Sequence, residues 1–449
     1  MENRRTLTFG MVTLVTLIAF EAVAVTSAMP TVARALDGLP LYGFAFGGAL
    51  ATSVVGTVLG GSWCDRAGPA RPTAVGVGLF CLGLLGAGLA PQMWVLVLGR
   101  LVQGFGGGLV NVALFVIIGR AYPASQHARV ISFISAAWVL PAILGPAVAG
   151  LVVDWLGWRW VFLLVVLAAV PAFFGIWRPI SNISDLSGRA AFSQAWWAAG
   201  AALGALVLFV GGHWWLLVVG FVIVAVCGVR LLPHGTFTLA RGLPSVVLLR
   251  GLAGAAFMQA DVFIPLLLTR ERGFSPALAG LSVTAGALFW AAGSWVQARQ
   301  GQRLSDTVRL RIGAASIAAG VLSAIVVSFA GVPVFVVIAG WCFGGLGMGL
   351  VSPVTSALVL RLSDPAGQGA NSSALSVSDA LLTTTALAAG GALFAALLDR
   401  GPVAYLVAFA VALVPAAAGV LVAGRTFGGS EDGGAPIALA GERAGAGRG

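Results

Sequence analysis

Gly60-Gly61-Ser62-Trp63-Cys64-Asp65-Arg66-Ala67-Gly68-Pro69-Ala70-Arg71 lies between two apolar runs, residues 41–63 and 73–90. Each run is close to the ~20 residues that carry an α-helix across a hydrocarbon core. Gly68-Pro69 is a turn signal, and the two arginines mark a polar loop. The segment therefore reads as a tight connection between two membrane-spanning helices. The same design extends along the chain. Apolar segments run approximately over 7–29, 41–63, 73–90, 94–119, 130–153, 159–177, 195–211, 214–230, 243–269, 275–297, 310–330, 333–360, 372–397 and 402–424.

Composition agrees. Of 449 residues, 59% are hydrophobic and 9% charged, against roughly 25% charged in a soluble protein. So few charges cannot cover the surface of a soluble enzyme, and a disordered scaffold or a collagen-like fibre is excluded as well. Long apolar runs without alternation indicate helices, not a β-barrel. The expected fold class is an all-α polytopic membrane protein.

The net charge of +10 does not indicate a nucleic-acid partner. The basic residues, all Arg, are spread one or two at a time between apolar runs instead of gathering on one face. With the N-terminus inside, eighteen arginines fall on interior loops and five on exterior loops, while Arg100 and Arg250 lie within spans. By the positive-inside rule both termini are cytoplasmic and the span count is even. Segments 195–211 and 214–230 are the shortest, separated by Gly211-Gly212-His213. They read as a tight hairpin of two spans, giving fourteen in all. The other reading is a twelve-span protein with a membrane-associated linker. The first run exceeds a signal peptide's apolar core and contains Glu21, so it is expected to remain as a span. The stretch from 426 to 449 is rich in Gly, Ala and charge and is expected to be a disordered cytoplasmic tail.

The chain repeats itself. Gly60-Gly61-Ser62-Trp63 is echoed by Ala292-Gly293-Ser294-Trp295, and Gly104-Phe105-Gly106-Gly107-Gly108-Leu109 by Gly345-Leu346-Gly347-Met348-Gly349-Leu350, at offsets of 232 and 241. Two six-span halves with two spans between them account for both echoes. The domain expectation is 1–177 and 243–425 for the two bundles and 178–242 for the linker. Repeated halves moving about a central site are a recurring transporter design.

Four motifs carry a family resemblance. Gly61-x3-Asp65-Arg66-x-Gly68-x2-Arg71 resembles the signature loop of the major facilitator superfamily. Its glycines suit close approach of the second and third helices, and its charges suit a latch at the cytoplasmic helix ends. Gly99-Arg100-Leu101-Val102-Gln103-Gly104-x-Gly106 is similar to the superfamily's fourth-span motif. The repeat has Trp341 where this half has Arg100, so the fold itself does not demand that charge. Gly145-Pro146-x3-Gly150 resembles the antiporter motif of the fifth span, with Ala149 in place of one usual glycine. Trp158-Arg159-Trp160-Val161-Phe162 is similar to the opening of the sixth span in drug exporters. In the first span, Glu21-x8-Pro30 matches the spacing of an acidic residue and a proline in fourteen-span proton-driven drug exporters, with Thr26 where those have Asn. The resemblance covers about residues 7–424. It implies the major facilitator fold, two six-helix bundles plus two central linker helices.

Three carboxylates lie within spans: Glu21, Asp261 and Asp379. An ionisable group inside a membrane is a functional candidate by default. Burial disfavours the charged form of a carboxyl, which suits proton loading and release. Either Glu21 or Asp261 is the expected proton carrier, with the other a candidate substrate contact. Glu21 leads because the resemblance places the acid on this span, and it implies that Arg100 is the modulating cation. Each of the three acids could instead be a structural partner of Arg100 or Arg250. Candidate cavity residues are Gln103, Asn111, Trp138, Phe257, Met258, Gln259 and Trp290. The expected function is proton-coupled antiport of an amphipathic small molecule or drug out of the cell. The alternative is a symporter or facilitator for a sugar or organic anion, although the spans hold few of the amides such a site would want. Enzyme chemistry is not expected: three His residues lie in loops or at span ends, and no nucleophile–base or metal pattern stands out. The four Cys have packing, not redox, spacing. The expected partners are a small-molecule substrate, protons and the lipid bilayer. No cofactor is expected, and the chain is expected to act as a monomer.

Overall fold

The computed structural model describes residues 2–123, 126, 130, 133–134, 137–181, 193–210, 214–300, 304–329, 331–363 and 368–426. The expected tail, 427–449, lies outside them. Among the described residues are fourteen α-helices: α1 (Glu2–Ala35), α2 (Tyr42–Ala67), α3 (Ala70–Gly88), α4 (Met93–Ala121), α5 (Val139–Leu156), α6 (Arg159–Ser181), α7 (Ser193–Val210), α8 (Trp214–Leu231), α9 (Leu243–Arg270), α10 (Pro276–Gln300), α11 (Asp306–Val327), α12 (Phe335–Leu362), α13 (Gln368–Ala396) and α14 (Pro402–Val422). Eleven are long and apolar enough to cross a membrane, and three shorter apolar stretches lie in α5, α7 and α8. α7 and α8 have 18 residues each, about 27 Å at 1.5 Å per residue. That nearly matches a ~30 Å hydrocarbon core.

The sequence reading ended the first span at residue 29, before Pro30. α1 instead continues through Pro30 to Ala35. A proline removes one intrahelical bond, which a helix packed among neighbours tolerates. Pro30 is buried, as are Ala28, Met29, Val32 and Ala33 around it.

The helix neighbours reveal the repeat directly. In the first half, α4 packs on α2 and α3, α6 on α1 and α3, and α5 on α1. In the second half, α12 packs on α10 and α11, α14 on α9 and α11, and α13 on α9. Each pair in one half has its counterpart in the other. Matching glycines allow the matching contacts. A Cβ on Gly106 would lie 2.5 Å from the Phe80 amide nitrogen on α3, and one on Gly347 would lie 2.9 Å from the Ile317 nitrogen on α11. Both approaches are closer than real Cβ contacts permit.

The halves meet through α2 against α13 and α5 against α10, again counterparts of one another. The close contacts gather at the end where α1, α5, α9 and α13 finish. There Gly43 faces Gly391, Gly150 faces Ala277, and Gly280 faces Ser27 and Pro146. The Tyr42 hydroxyl donates to the Val262 carbonyl at 3.0 Å. α7 lies along this seam, touching both α2 and α13, with Phe209 stacked on Phe44 at 4.7 Å. Beyond the closed seam, the same end holds a cavity of about 410 Å³ lined by Arg34, Asp37, Arg270 and Asp399.

Candidate functional site

Glu21 and Arg100 form a buried ion pair between α1 and α4. The Arg100 Nη1 also donates to Gln103 Oε1 at 2.6 Å, and its Nε donates to the Ala45 carbonyl of α2 at 3.1 Å. The guanidinium therefore ties three helices together. Gln103 lies one turn from Arg100 on the same face of α4, which explains its reach. A buried charge without such partners would be strongly destabilising.

Asp379 on α13 pairs with Arg250 on α9, at 3.0 Å from Nη2 and 3.3 Å from Nε. This pair is less enclosed, with side chains 16% and 29% exposed for Arg250 and Asp379. The Arg250 Nη1 is buried without a hydrogen-bond partner.

Asp261 differs from both. It is buried on α9 and accepts a 3.0 Å hydrogen bond from Trp341 Nε1 on α12. Among the described residues no ion pair reaches it. Such a bond to a charged acceptor contributes ~1.5–3 kcal/mol, well short of a full counter-charge. The indole fits because Gly286 on α10 leaves room: a Cβ there would lie 2.6 Å from Trp341 Nε1. Phe257 stacks on Trp341 at 4.7 Å and meets Trp290 edge-on at 5.3 Å. The arrangement is a carboxylate, one neutral donor and three aromatic rings, able to hold a proton or face an apolar, electron-poor molecule.

The remaining expected cavity residues divide. Phe257 and the half-buried Trp290 join the Asp261 cluster, next to Met258. Gln103 belongs to the Arg100 cluster. Asn111, exposed, shares the Arg100 face of α4 three turns along. Trp138 is exposed at the start of α5. Gln259 turns away from Asp261, donating to the Ala408 carbonyl of α14 at 3.2 Å and facing Gly390 of α13.

The loop motif spans the turn from α2 to α3. Gly68 caps α2 with φ of 73°, a conformation that favours glycine. Gly60, not Gly61, makes the close approach, and it does so toward α4: a Cβ on Gly60 would lie 2.6 Å from Val112, whereas one on Gly61 would reach Val112 only at 3.8 Å. Arg66 and Arg71 are exposed. The side chain of Asp65 lies outside the described residues. In the fifth-span motif, Gly145 faces Val23 and Phe20 of α1, and Gly150 and Pro146 face α10. That helix therefore lines the seam between the halves.

Sequence reading missed one cluster. Asp306, at the start of α11, pairs with Arg309 and with Arg361 at the end of α12. The 241 offset was an available signal, since it carries Asp65 to Asp306 and Arg120 to Arg361. The role of Trp341 as a donor had the same signal through Arg100.

A fold of two matching helical halves, with charged groups enclosed between apolar spans, is the architecture of a multi-pass membrane transporter. The chain belongs to the Major Facilitator Superfamily, whose model matches residues 11–381. Among curated proteins it is 22% identical to the multidrug efflux pump SdrM of Staphylococcus aureus (strain N315) over 361 residues, covering 77% of this chain and 80% of that one. It is 27% identical to the multidrug transporter protein MdtP of Bacillus subtilis (strain 168) over 182 residues, 40% of this chain and 34% of that one. In structure it is similar to a bacterial homolog of the human lysosomal transporter Spinster in an inward-facing, unoccupied conformation, with a TM-score of 0.70 and 14% identity over 95% of this chain and 98% of that one. It is also similar to a D-xylose–proton symporter, with a TM-score of 0.65 and 16% identity over 92% and 96% of the two chains.

Proposed function

We propose that this transporter is a proton-coupled antiporter that exports amphipathic small molecules or drugs across the cytoplasmic membrane by alternating access. One observation carries the reading. Of the three carboxylates within spans, Glu21 and Asp379 each have an arginine, and among the described residues Asp261 has only the Trp341 N–H. A carboxyl without a counter-charge in an apolar setting can take up and give up a proton without breaking an ion pair. We therefore assign proton exchange to Asp261, and to Glu21 a position held by Arg100. The Phe257–Trp341–Trp290 cluster offers a wall for an amphipathic substrate. The names of SdrM and MdtP support export of drugs.

The rest of the proposal follows from the same reading. Residues 1–177 and 243–425 are the moving bundles, joined by 178–242. The protein acts as a monomer with both termini cytoplasmic, so the closed seam around Tyr42 and Gly391 faces outward and the conformation is inward-facing. Gly145, Pro146 and Gly150 keep the seam tight against proton leak. The Asp65 loop latches the cytoplasmic ends.

The test uses everted vesicles acidified by respiration. Adding ethidium or another transported drug should release part of the gradient, and Asp261→Asn should reduce this to the level of vesicles lacking the protein. Full drug-dependent proton release by Asp261→Asn would overturn the assignment.

A further inference from the structure

The two halves hold the same acid against different partners. Glu21 on α1 and Asp261 on α9 are 240 residues apart, and Arg100 on α4 and Trp341 on α12 are 241 apart. α1 corresponds to α9, and α4 to α12, in the matching packing patterns. In each half the acid on the first helix is bonded to the residue at one place on the fourth. Arg100 bonds Glu21, and Trp341 bonds Asp261. The donors differ in charge: a guanidinium brings a permanent positive charge, an indole a single neutral N–H. Glu21 is therefore held in an ion pair, whereas the bond to Asp261 brings no opposite charge.

The surroundings of Asp261 sharpen the contrast. From α2 comes the Tyr42 phenol, which donates to the carbonyl of the adjacent Val262, and α14 brings the Tyr405 phenol, reached through Phe263 and Phe394. From α12 comes the Trp341 N–H, from α10 the bare Gly286. On its own helix Arg250 is engaged by Asp379 of α13, and Arg270 ends the helix at the cavity. On α1 the acid Glu21 is engaged by Arg100.

We infer that the residue at this fourth-helix position decides which half carries the exchangeable carboxyl, and that Trp341 is what assigns exchange to Asp261. This rests on the reading of Asp261 as the proton carrier. The step is a simple balance: the Asp261 carboxylic acid becomes a carboxylate plus one proton, the proton leaving to water. An arginine at 341 would hold Asp261 as the carboxylate. A tryptophan at 100 would free Glu21 for the same step.

The experiment is pH-difference infrared spectroscopy on the purified full-length chain in lipid nanodiscs, which needs no substrate. The signal is the carbonyl stretch of a protonated buried carboxylic acid. Asp261→Asn first tests the underlying reading, since it should remove a band present in the wild type; an unchanged spectrum refutes that reading by itself. Trp341→Arg should then weaken the same band about tenfold or more, as expected for an adjacent opposite charge. Trp341→Phe keeps the ring beside Phe257, adds no charge, and should retain the band. Arg100→Trp should add a second band that Glu21→Gln removes. A band that persists in Trp341→Arg, or is lost equally in Trp341→Phe, overturns the inference while leaving the Asp261 assignment standing. If circular dichroism shows that Trp341→Arg is unfolded, Arg100→Trp decides: failure to gain the Glu21 band overturns it.

Discussion

Replacing either member of the Glu21–Arg100 pair should destabilise the protein far more than replacing both. The two side chains are 5% and 8% exposed, so solvent screening offers little discount. Removing one partner of a buried pair costs ~3–5 kcal/mol, because the survivor is left as an uncompensated charge. The neighbours rank the two variants. After Glu21→Gln, Arg100 keeps Gln103 Oε1 at 2.6 Å and the Ala45 carbonyl at 3.1 Å, which places this variant near ~3 kcal/mol. After Arg100→Met, the Glu21 carboxylate loses its ion-pair partner, which places that variant near ~5 kcal/mol. The double variant removes both charges and fills the space with a neutral amide and an apolar chain, so it should lie within ~1–2 kcal/mol of wild type. The assay is reversible unfolding in mixed detergent–SDS micelles, followed by tryptophan fluorescence, for the four proteins of the cycle. A double variant as unstable as the sum of the singles would refute the view that the pair is a mutually neutralising unit. So would two single variants indistinguishable from wild type.

Two further outcomes follow from local geometry. Gly150→Val places a Cβ 2.7 Å from the Ala277 Cβ at the seam. Overpacking of this kind costs ~1–3 kcal/mol, and here it should also open the seam, raising maleimide labelling of a cysteine placed at Ala277; unchanged labelling counts against the seam's tightness. At the second cluster, Arg361 is 60% exposed and Arg309 10%. Arg361→Ala should therefore cost no more than ~1 kcal/mol, while Asp306→Asn, which leaves the buried Arg309 unpaired, should cost ~3 kcal/mol in the same SDS titration. Equal losses would contradict the ranking by exposure.

Particular residues show where sequence reading reached and where it stopped. Glu21, Arg100, Asp261 and Asp379 were legible because charges within apolar runs are rare, and rarity in lipid follows from desolvation. Their partners were only partly legible. Arg100 and Arg250 were open as partners for all three acids, and the Trp341 bond to Asp261 joins residues 80 apart and depends on how two helices are rotated. Gln259 looked like a cavity residue because it neighbours Asp261 in sequence. Two residues along a helix point about 200° apart, so it faces α13 and α14 instead. Gly61 belongs to a recognisable motif, yet the steric burden falls on Gly60, since that one makes the close approach to Val112 of α4.

The amino-acid sequence by itself determined that this chain lies in a membrane, that it is built of helices in two related halves, and which few carboxylates are enclosed. Those properties follow from the hydrophobic period, the scarcity of charge and a constant offset. The tertiary structure decided which carboxylate has a counter-charge and which has only an indole N–H. That depends on helix packing, which brings residues from distant spans to within one hydrogen bond, and no local pattern encodes it.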